Sequence, residues 1–181
     1  MKIQPTNIAD VLLIIPKVFE DERGFFYESY NHREFTQLTG LSPRFVQDNH
    51  SRSLRHTLRG LHYQIQQPQG KLVRVIAGKI FDVAVDLRQY SSTFGQWTGC
   101  VLSSENRHQL WIPIGFAHGF LVLSESAEVL YKTTDYYAPQ YERCLFWNDR
   151  DLAIDWSIDE HPILSKKDKQ GMLFKDADLF T

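Results

Sequence analysis

A two-residue alternation of side-chain character through the middle of the sequence restricts the fold more than any other feature. Along Lys79-Ile80-Phe81-Asp82-Val83-Ala84-Val85-Asp86-Leu87-Arg88, the residues Phe81, Val83, Val85 and Leu87 fall on one side, and Asp82, Ala84, Asp86 and Arg88 on the other. Successive side chains of a strand point to opposite faces, so this segment reads as a strand with one polar face. Residues 71–76 form a second β-branched run, and Ala77-Gly78-Lys79 reads as the tight turn of a hairpin joining the two.

Further short strand candidates are 25–30, 58–64, 97–102, 109–112, 119–123, 127–133 and 144–147. Strands at such spacing, with no helices between them, suit an all-β sandwich or barrel and not a parallel α/β sheet. The expected fold is therefore mainly β, an antiparallel jelly-roll double sheet with a few short helices. One helix is expected from an Asn31 cap to Thr39, with Gly40 as its stop, and one or two short helices after Asp149. With 181 residues and no linker or repeat, the expectation is one domain spanning 1–181, with a short, partly helical tail from about 149.

Charge and composition remove several function classes. Twenty Lys and Arg against 22 Asp and Glu leave a formal charge of −2, which disfavours binding to nucleic acid or a membrane surface. The aliphatic run 11–15 is far shorter than a membrane span or a signal-peptide core. Cys100 and Cys144 are too few for a disulfide framework or a cysteine zinc site, which points to a reducing cytoplasm. There is no Gly-x-Gly-x-x-Gly fingerprint for a nicotinamide cofactor.

Two of the seven histidines have informative surroundings. His62 lies in Arg59-Gly60-Leu61-His62-Tyr63-Gln64, where glycine within a strand marks a bulge or a close backbone approach. A bulge matters here because Arg59 and His62 have opposite parity and cannot share a face of a regular strand. His118 closes Pro113-Ile114-Gly115-Phe116-Ala117-His118, a pattern that resembles the second motif of the cupin superfamily of small jelly-roll barrels. Many cupins take further metal ligands from a His-x-His pair and a following Glu; here Gln64 replaces the second His and no Glu follows at that distance. Two imidazoles fall short of the three protein ligands a catalytic metal normally takes, so no metal is expected and the histidines are free for proton transfer.

Several blocks together resemble the dTDP-4-dehydrorhamnose 3,5-epimerase family, cofactor-free isomerases of nucleotide-linked deoxysugars. They are Phe-Glu-Asp-Glu-Arg-Gly-Phe-Phe-Tyr-Glu-Ser-Tyr at 19–30, Phe-Val-Gln-Asp-Asn-His-Ser at 45–51, and 58–64. The match continues through 70–75, 81–88, 111–120 and 131–139, and ends in Leu-Ser-Lys-Lys-Asp-Lys at 164–169. The resemblance implies a dTDP-4-keto-6-deoxyglucose substrate, whose carbons 3 and 5 flank the carbonyl at carbon 4. Inverting either carbon means removing a proton on one face, holding an enolate, and returning a proton on the other.

By that resemblance His62 is the base, Asp168 its partner, Lys71 the cation at the enolate oxygen, and Tyr131 the opposite-face acid. Histidine suits the first role because it titrates near neutrality, most effectively when a carboxylate orients the ring. The resemblance further assigns Arg23, Glu28, Gln47, Asn49, Arg59, Lys71, His118, Glu142 and Lys167 to substrate binding. Phe19 and Tyr137 are expected as stacking or wall residues, and Asp48 is included because it sits between two of the others. Arg23 and Arg59 each precede a glycine, and their planar guanidinium groups suit phosphate. The family also implies a homodimer in which Arg23 and Glu28 reach the neighbouring subunit's site. A mono-epimerase, a metal-dependent cupin and a non-catalytic sugar-binding jelly roll are the competing readings.

Overall fold

The computed structural model describes residues 1–181. The strands are β1 (Lys2–Pro5), β2 (Leu12–Ile15), β3 (Phe19–Asp21), β4 (Gly24–Phe26), β5 (Gln47–Leu54), β6 (Leu58–Gln64) and β7 (Lys71–Ala77). They continue with β8 (Lys79–Asp86), β9 (Trp97–Ser103), β10 (Gln109–Ile112), β11 (Phe116–Val122), β12 (Ser126–Thr133) and β13 (Glu142–Cys144). One helix, α1 (His32–Thr39), is capped by the Asn31 side chain and stopped by Gly40 at φ 71°, as its sequence signals require.

Two antiparallel sheets face each other, one in the order β1-β2-β10-β7-β12-β5 and the other β13-β6-β11-β8-β9. Ile80, Val73, Val75, Ala84, Phe120 and Val129 belong to the apolar core shared by the facing sheets. A second cluster packs Leu61, Val83 and Leu121 against Leu145, Leu152 and Trp156 of the C-terminal region. The helix seats Phe35 on Leu72 and Trp111 of the six-stranded sheet. The expected jelly-roll double sheet is therefore present.

One local expectation is corrected. The two runs around Gly78 do not form a hairpin, because β7 and β8 belong to different sheets. Gly78, at φ 78°, turns the chain from one sheet into the other, and its Cα lies so close to the Ser126 carbonyl and the Ser124 hydroxyl that a Cβ has no room. The polar face expected of β8 is buried: Asp82 and Asp86 are both 0% exposed. The Asp86 carboxylate is saturated by Arg88, Ser91 and Thr93 in the turn that follows. The C-terminal tail carries two short 3-10 helices, Asp168–Gln170 and Phe174–Asp176, in keeping with the one or two short helices expected after Asp149. No helix is long and apolar enough to cross a membrane.

The sequence reading also placed strands at 25–30 and 144–147; the observed strands there are β4 and β13. It missed β5, whose sequence Gln-Asp-Asn-His-Ser-Arg-Ser-Leu is polar on both faces.

Candidate active site

A cavity of about 250 Å³ opens between the sheets, with His62, His118, Arg59, Lys71, Tyr131, Glu142, Tyr137 and Lys167 among its lining residues. Its polar lining comes from strand ends on both sheets. β6 and β11 supply the histidines and Arg59 on one wall, and β7 and β12 supply Lys71 and Tyr131 on the other.

The bulge expected at Gly60 places Arg59 and His62 on one face. His118 pairs with His62 and Phe120 with Arg59, so one step of two residues on β11 spans three on β6. The extra residue restores equal parity, and Arg59 and His62 both line the cavity. Glycine is required on both strands. A Cβ on Gly60, at φ 121°, would lie 2.5 Å from the Gly119 Cα, and one on Gly119 would lie 2.7 Å from the Arg59 carbonyl oxygen.

His62 Nε2 lies 2.6 Å from Asp168 Oδ1 although the residues are 106 apart in sequence. Asp168 is buried, and its other oxygen accepts a 2.6 Å hydrogen bond from the Ser165 hydroxyl. The Asp168 amide in turn donates to Ser165 Oγ at 3.1 Å, a reciprocal pair resembling a capping box. Burial pushes the Asp168 pKa up, but the hydrogen bonds from His62 and Ser165 outweigh it and hold the carboxyl at about 2. Burial also lowers the pKa of His62, with Asp168 pulling the other way, so the ring is neutral at pH 7. An Asp168 carboxylate fixes the proton of that neutral ring on Nε2 and leaves the Nδ1 lone pair without a protein partner.

The Lys71 ammonium is buried and donates to the His62 carbonyl oxygen at 3.3 Å, reaching from one sheet to the other. Burial pulls its pKa down to about 8, opposed by the carboxylates of Asp82 and Glu142. Tyr131 packs its ring against the apolar core while lining the cavity, and burial raises its hydroxyl's pKa. A half-buried neutral phenol lining the same cavity as the His62 imidazole is suited to give up a proton only to a strongly basic carbon.

Glu142 accepts from Lys167 Nζ at 2.6 Å and from the Tyr137 hydroxyl at 2.9 Å, tying three of the expected residues into one cluster. Gln47 Nε2 donates to Asn49 Oδ1 at 3.0 Å, and Gln47 Oε1 accepts from the Tyr137 amide, so both join the cavity's rim. Asn49 is the register partner of Tyr131. Four expected residues are not brought to this cavity. Asp48 alternates away from Gln47 and Asn49 onto the outer face of the sheet, where it pairs with Lys132 at 2.9 Å. Phe19 and Arg23 are exposed on the β3–β4 hairpin, where Arg23 pairs with Asp21 at 2.6 Å, and the exposed Glu28 accepts from Asn31.

The sequence reading missed Asp82, Ser165 and the structural role of Gln64. Asp82 is wholly buried and lies 2.7 Å from His118 Nε2, giving that histidine a carboxylate of its own. Its signal was an acid inside the apolar run Phe81–Val85, and that of Ser165 was the spacing Ser-x-x-Asp. Gln64, in the place of a cupin ligand, accepts from the Ala138 amide at 2.9 Å and donates to the Tyr136 carbonyl at 3.2 Å. It pins the segment carrying Tyr137.

Residues 5–176 match the family model described as dTDP-4-dehydrorhamnose 3,5-epimerase. The chain belongs to the dTDP-4-dehydrorhamnose 3,5-epimerase family. It is 62% identical over 180 residues to dTDP-4-dehydrorhamnose 3,5-epimerase of Pseudomonas aeruginosa, covering 99% of each chain. The fold superposes with TM-score 0.95 on the dTDP-6-deoxy-D-glucose-3,5-epimerase of Legionella pneumophila Philadelphia 1 in complex with dTDP-4-keto-L-rhamnose. That pair is 54% identical, over 98% of this chain and 94% of the other. A 3'-monoepimerase of Streptomyces bikiniensis in complex with dTDP-quinovose has the same fold, with TM-score 0.89, 31% identity, and coverage of 97% and 88%. This epimerase fold thus serves single and double inversion.

Proposed function

We propose that this epimerase inverts carbons 3 and 5 of dTDP-4-keto-6-deoxy-D-glucose to give dTDP-4-keto-L-rhamnose, with His62, Asp168, Lys71 and Tyr131 as its chemical machinery. His62 Nδ1 removes the proton next to the carbonyl, and Asp168 stabilises the resulting imidazolium. The Lys71 ammonium takes the charge that develops on the carbonyl oxygen, a contribution of about 2.7–4 kcal/mol for one such donor in a desolvated site. Tyr131 returns a proton from the other face and regains one from solvent, and the His62 imidazolium releases the proton it took to solvent. The same cycle at the second carbon completes the double inversion.

The observation that carries this reading is that an imidazole oriented by a carboxylate and a half-buried phenol occupy opposite walls of one cavity, with a buried ammonium beside the imidazole. A pure binding module has no use for that combination. Arg59, Lys167 and His118 supply positive or donor groups for the diphosphate and sugar. The proton route needs side chains alone, so the reading includes no metal or organic cofactor and predicts full activity in excess EDTA.

The reading also includes one domain, a cytoplasmic location and a homodimer. Support for the dimer comes from the hairpin: Phe19 and Arg23 stand on the exposed β3–β4 hairpin, outside the lining of their own chain's cavity, with Phe25 and Phe26 also exposed. A partner's cavity gives Phe19, Arg23 and Glu28 a substrate to bind. Incubation with substrate in deuterated water tests the reaction. Deuterium at both carbons is expected, and incorporation at one carbon alone overturns the double inversion.

A further inference from the structure

We infer that His62, Cys144 and Asp168 form an inhibitory site for a thiophilic divalent cation such as Zn²⁺, set behind the base and separate from the substrate cavity. Cys144 and His62 are register partners on β13 and β6, which brings a thiol beside the dyad. Cys144 Sγ lies 3.9 Å from Asp168 Oδ1, which lies 2.6 Å from His62 Nε2, and the three donor atoms are all within 4.8 Å of one another. Tetrahedral zinc, bound at about 2.0 Å to nitrogen and oxygen and about 2.3 Å to sulfur, places its ligand atoms roughly 3.3–3.5 Å apart. The carboxylate is held by Ser165, so a small turn of the imidazole and thiol suffices to close on a metal. The nitrogen, sulfur and oxygen set favours zinc, cobalt or cadmium over magnesium or calcium.

The consequence rests on the assignment of His62 as base. Binding releases the Cys144 proton to solvent and forms a metal–sulfur bond. The imidazole proton leaves Nε2, whose lone pair then binds the metal, and a proton occupies Nδ1. The base loses its free lone pair without any group entering the cavity. Lys71 and Lys167 face His62 as cations and disfavour approach of a dication from the cavity side. Inhibition therefore lowers kcat and leaves the KM for nucleotide-sugar nearly unchanged.

Cys144 has no part in the proposed reaction, so Cys144→Ser separates the two functions. The wild-type enzyme is titrated with Co²⁺ and followed by thiolate-to-metal charge-transfer absorption, and deuterium exchange is measured with Zn²⁺, with Mg²⁺ as control. We expect one equivalent of Co²⁺ to give the absorption in wild type and not in Cys144→Ser. Zn²⁺ should lower exchange by about 10²-fold in wild type, the scale of a lost general base, with recovery in EDTA. The variant should keep its basal rate and resist zinc. Equal inhibition of both proteins, a rise in KM instead of a fall in kcat, or no thiolate absorption overturns the site. A thiolate absorption with unimpaired exchange upholds metal binding but overturns the inhibitory function; the base assignment fails on a separate observation, exchange retained in metal-free His62→Ala.

Discussion

His62 and His118 are direct partners across β6 and β11, and each is backed by its own buried carboxylate, at 2.6 Å from Asp168 and 2.7 Å from Asp82. Two oriented imidazoles thus stand side by side on one wall, and the proposed reaction uses only His62 as its base. Replacing His62 by Ala should abolish solvent exchange at both carbons and leave the affinity for dTDP largely intact. Asp168→Asn should lower kcat by about 10²–10⁴-fold through loss of the tautomer and of imidazolium stabilisation. Deuterium incorporation together with calorimetric titration of dTDP checks both, and exchange retained in His62→Ala refutes the assignment.

Tyr131→Phe should separate the two halves of the reaction. The base can still remove a proton and return one on the same face, so deuterium should enter the substrate while inverted product falls by about 10²-fold or more. Mass spectrometry of recovered substrate, with separation of the product, measures both. Equal loss of exchange and inversion argues against Tyr131 as the opposite-face acid.

The pH dependence follows from two opposite requirements. His62 must be neutral, and burial sets its pKa below the ordinary 6.5, so kcat should fall only on the acid side of that value. Lys71 must be charged, and burial brings its pKa down to about 8, so kcat should also fall as pH rises through that region. Lys71→Arg, whose group stays protonated, should remove the alkaline fall even if the maximum rate is lower. Asp168 acts on stability: its depressed pKa contributes folding stability above the ordinary 3.8, and that contribution is lost as pH falls towards about 2.

Gly60→Ala should be destabilising by about 2 kcal/mol or more, because a Cβ at positive φ meets the backbone of Gly119 and His118 and no side chain can turn aside. Urea unfolding measures the loss. Stability within about 0.5 kcal/mol of wild type contradicts the close approach.

Mixing two inactive variants tests the shared site. Arg23→Ala lacks the hairpin cation and His62→Ala lacks the base, yet every mixed dimer, half of all dimers after random pairing, contains one complete cavity if the hairpin reaches across. Recovery to about a quarter of wild-type activity after subunit exchange is expected for random C2 pairing. No recovery, with mixed dimers verified by native mass spectrometry, places Arg23 outside the partner's cavity.

Much of the double sheet was legible because apolar alternation marks strands with a buried face, and 58–64 and 109–112 are observed with those bounds. The strand β5 was missed for a reason tied to function. Gln47, Asn49 and Ser51 face the space between the sheets, and Ser51 lines the polar cavity, so the inward side carries no hydrophobic signal. The same replacement of apolar by polar lining hid the meaning of Asp82, whose inward position made it resemble a solvated acid. Local sequence also could not pair His62 with Asp168, since the carboxylate arrives from the tail. Once β5 is known to be a strand, parity alone sets Asp48 on the face opposite Gln47 and Asn49; with β5 missed, the sequence reading included it.

The three-against-two step between β6 and β11 gives the site a ruler made of main chain. Arg59 and His62 are spaced by hydrogen-bonded backbone and two glycines with no room for a side chain, so a ligand gripped at one is indexed to the other without help from a mobile loop. Redirecting the enzyme from two inverted carbons to one is therefore best sought on the facing wall. There Tyr131 is set by its side chain, and the Tyr137–Glu142–Lys167 cluster, whose Glu142 sits on β13 beside β6, is likewise held by side chains that can be exchanged without cutting the ruler.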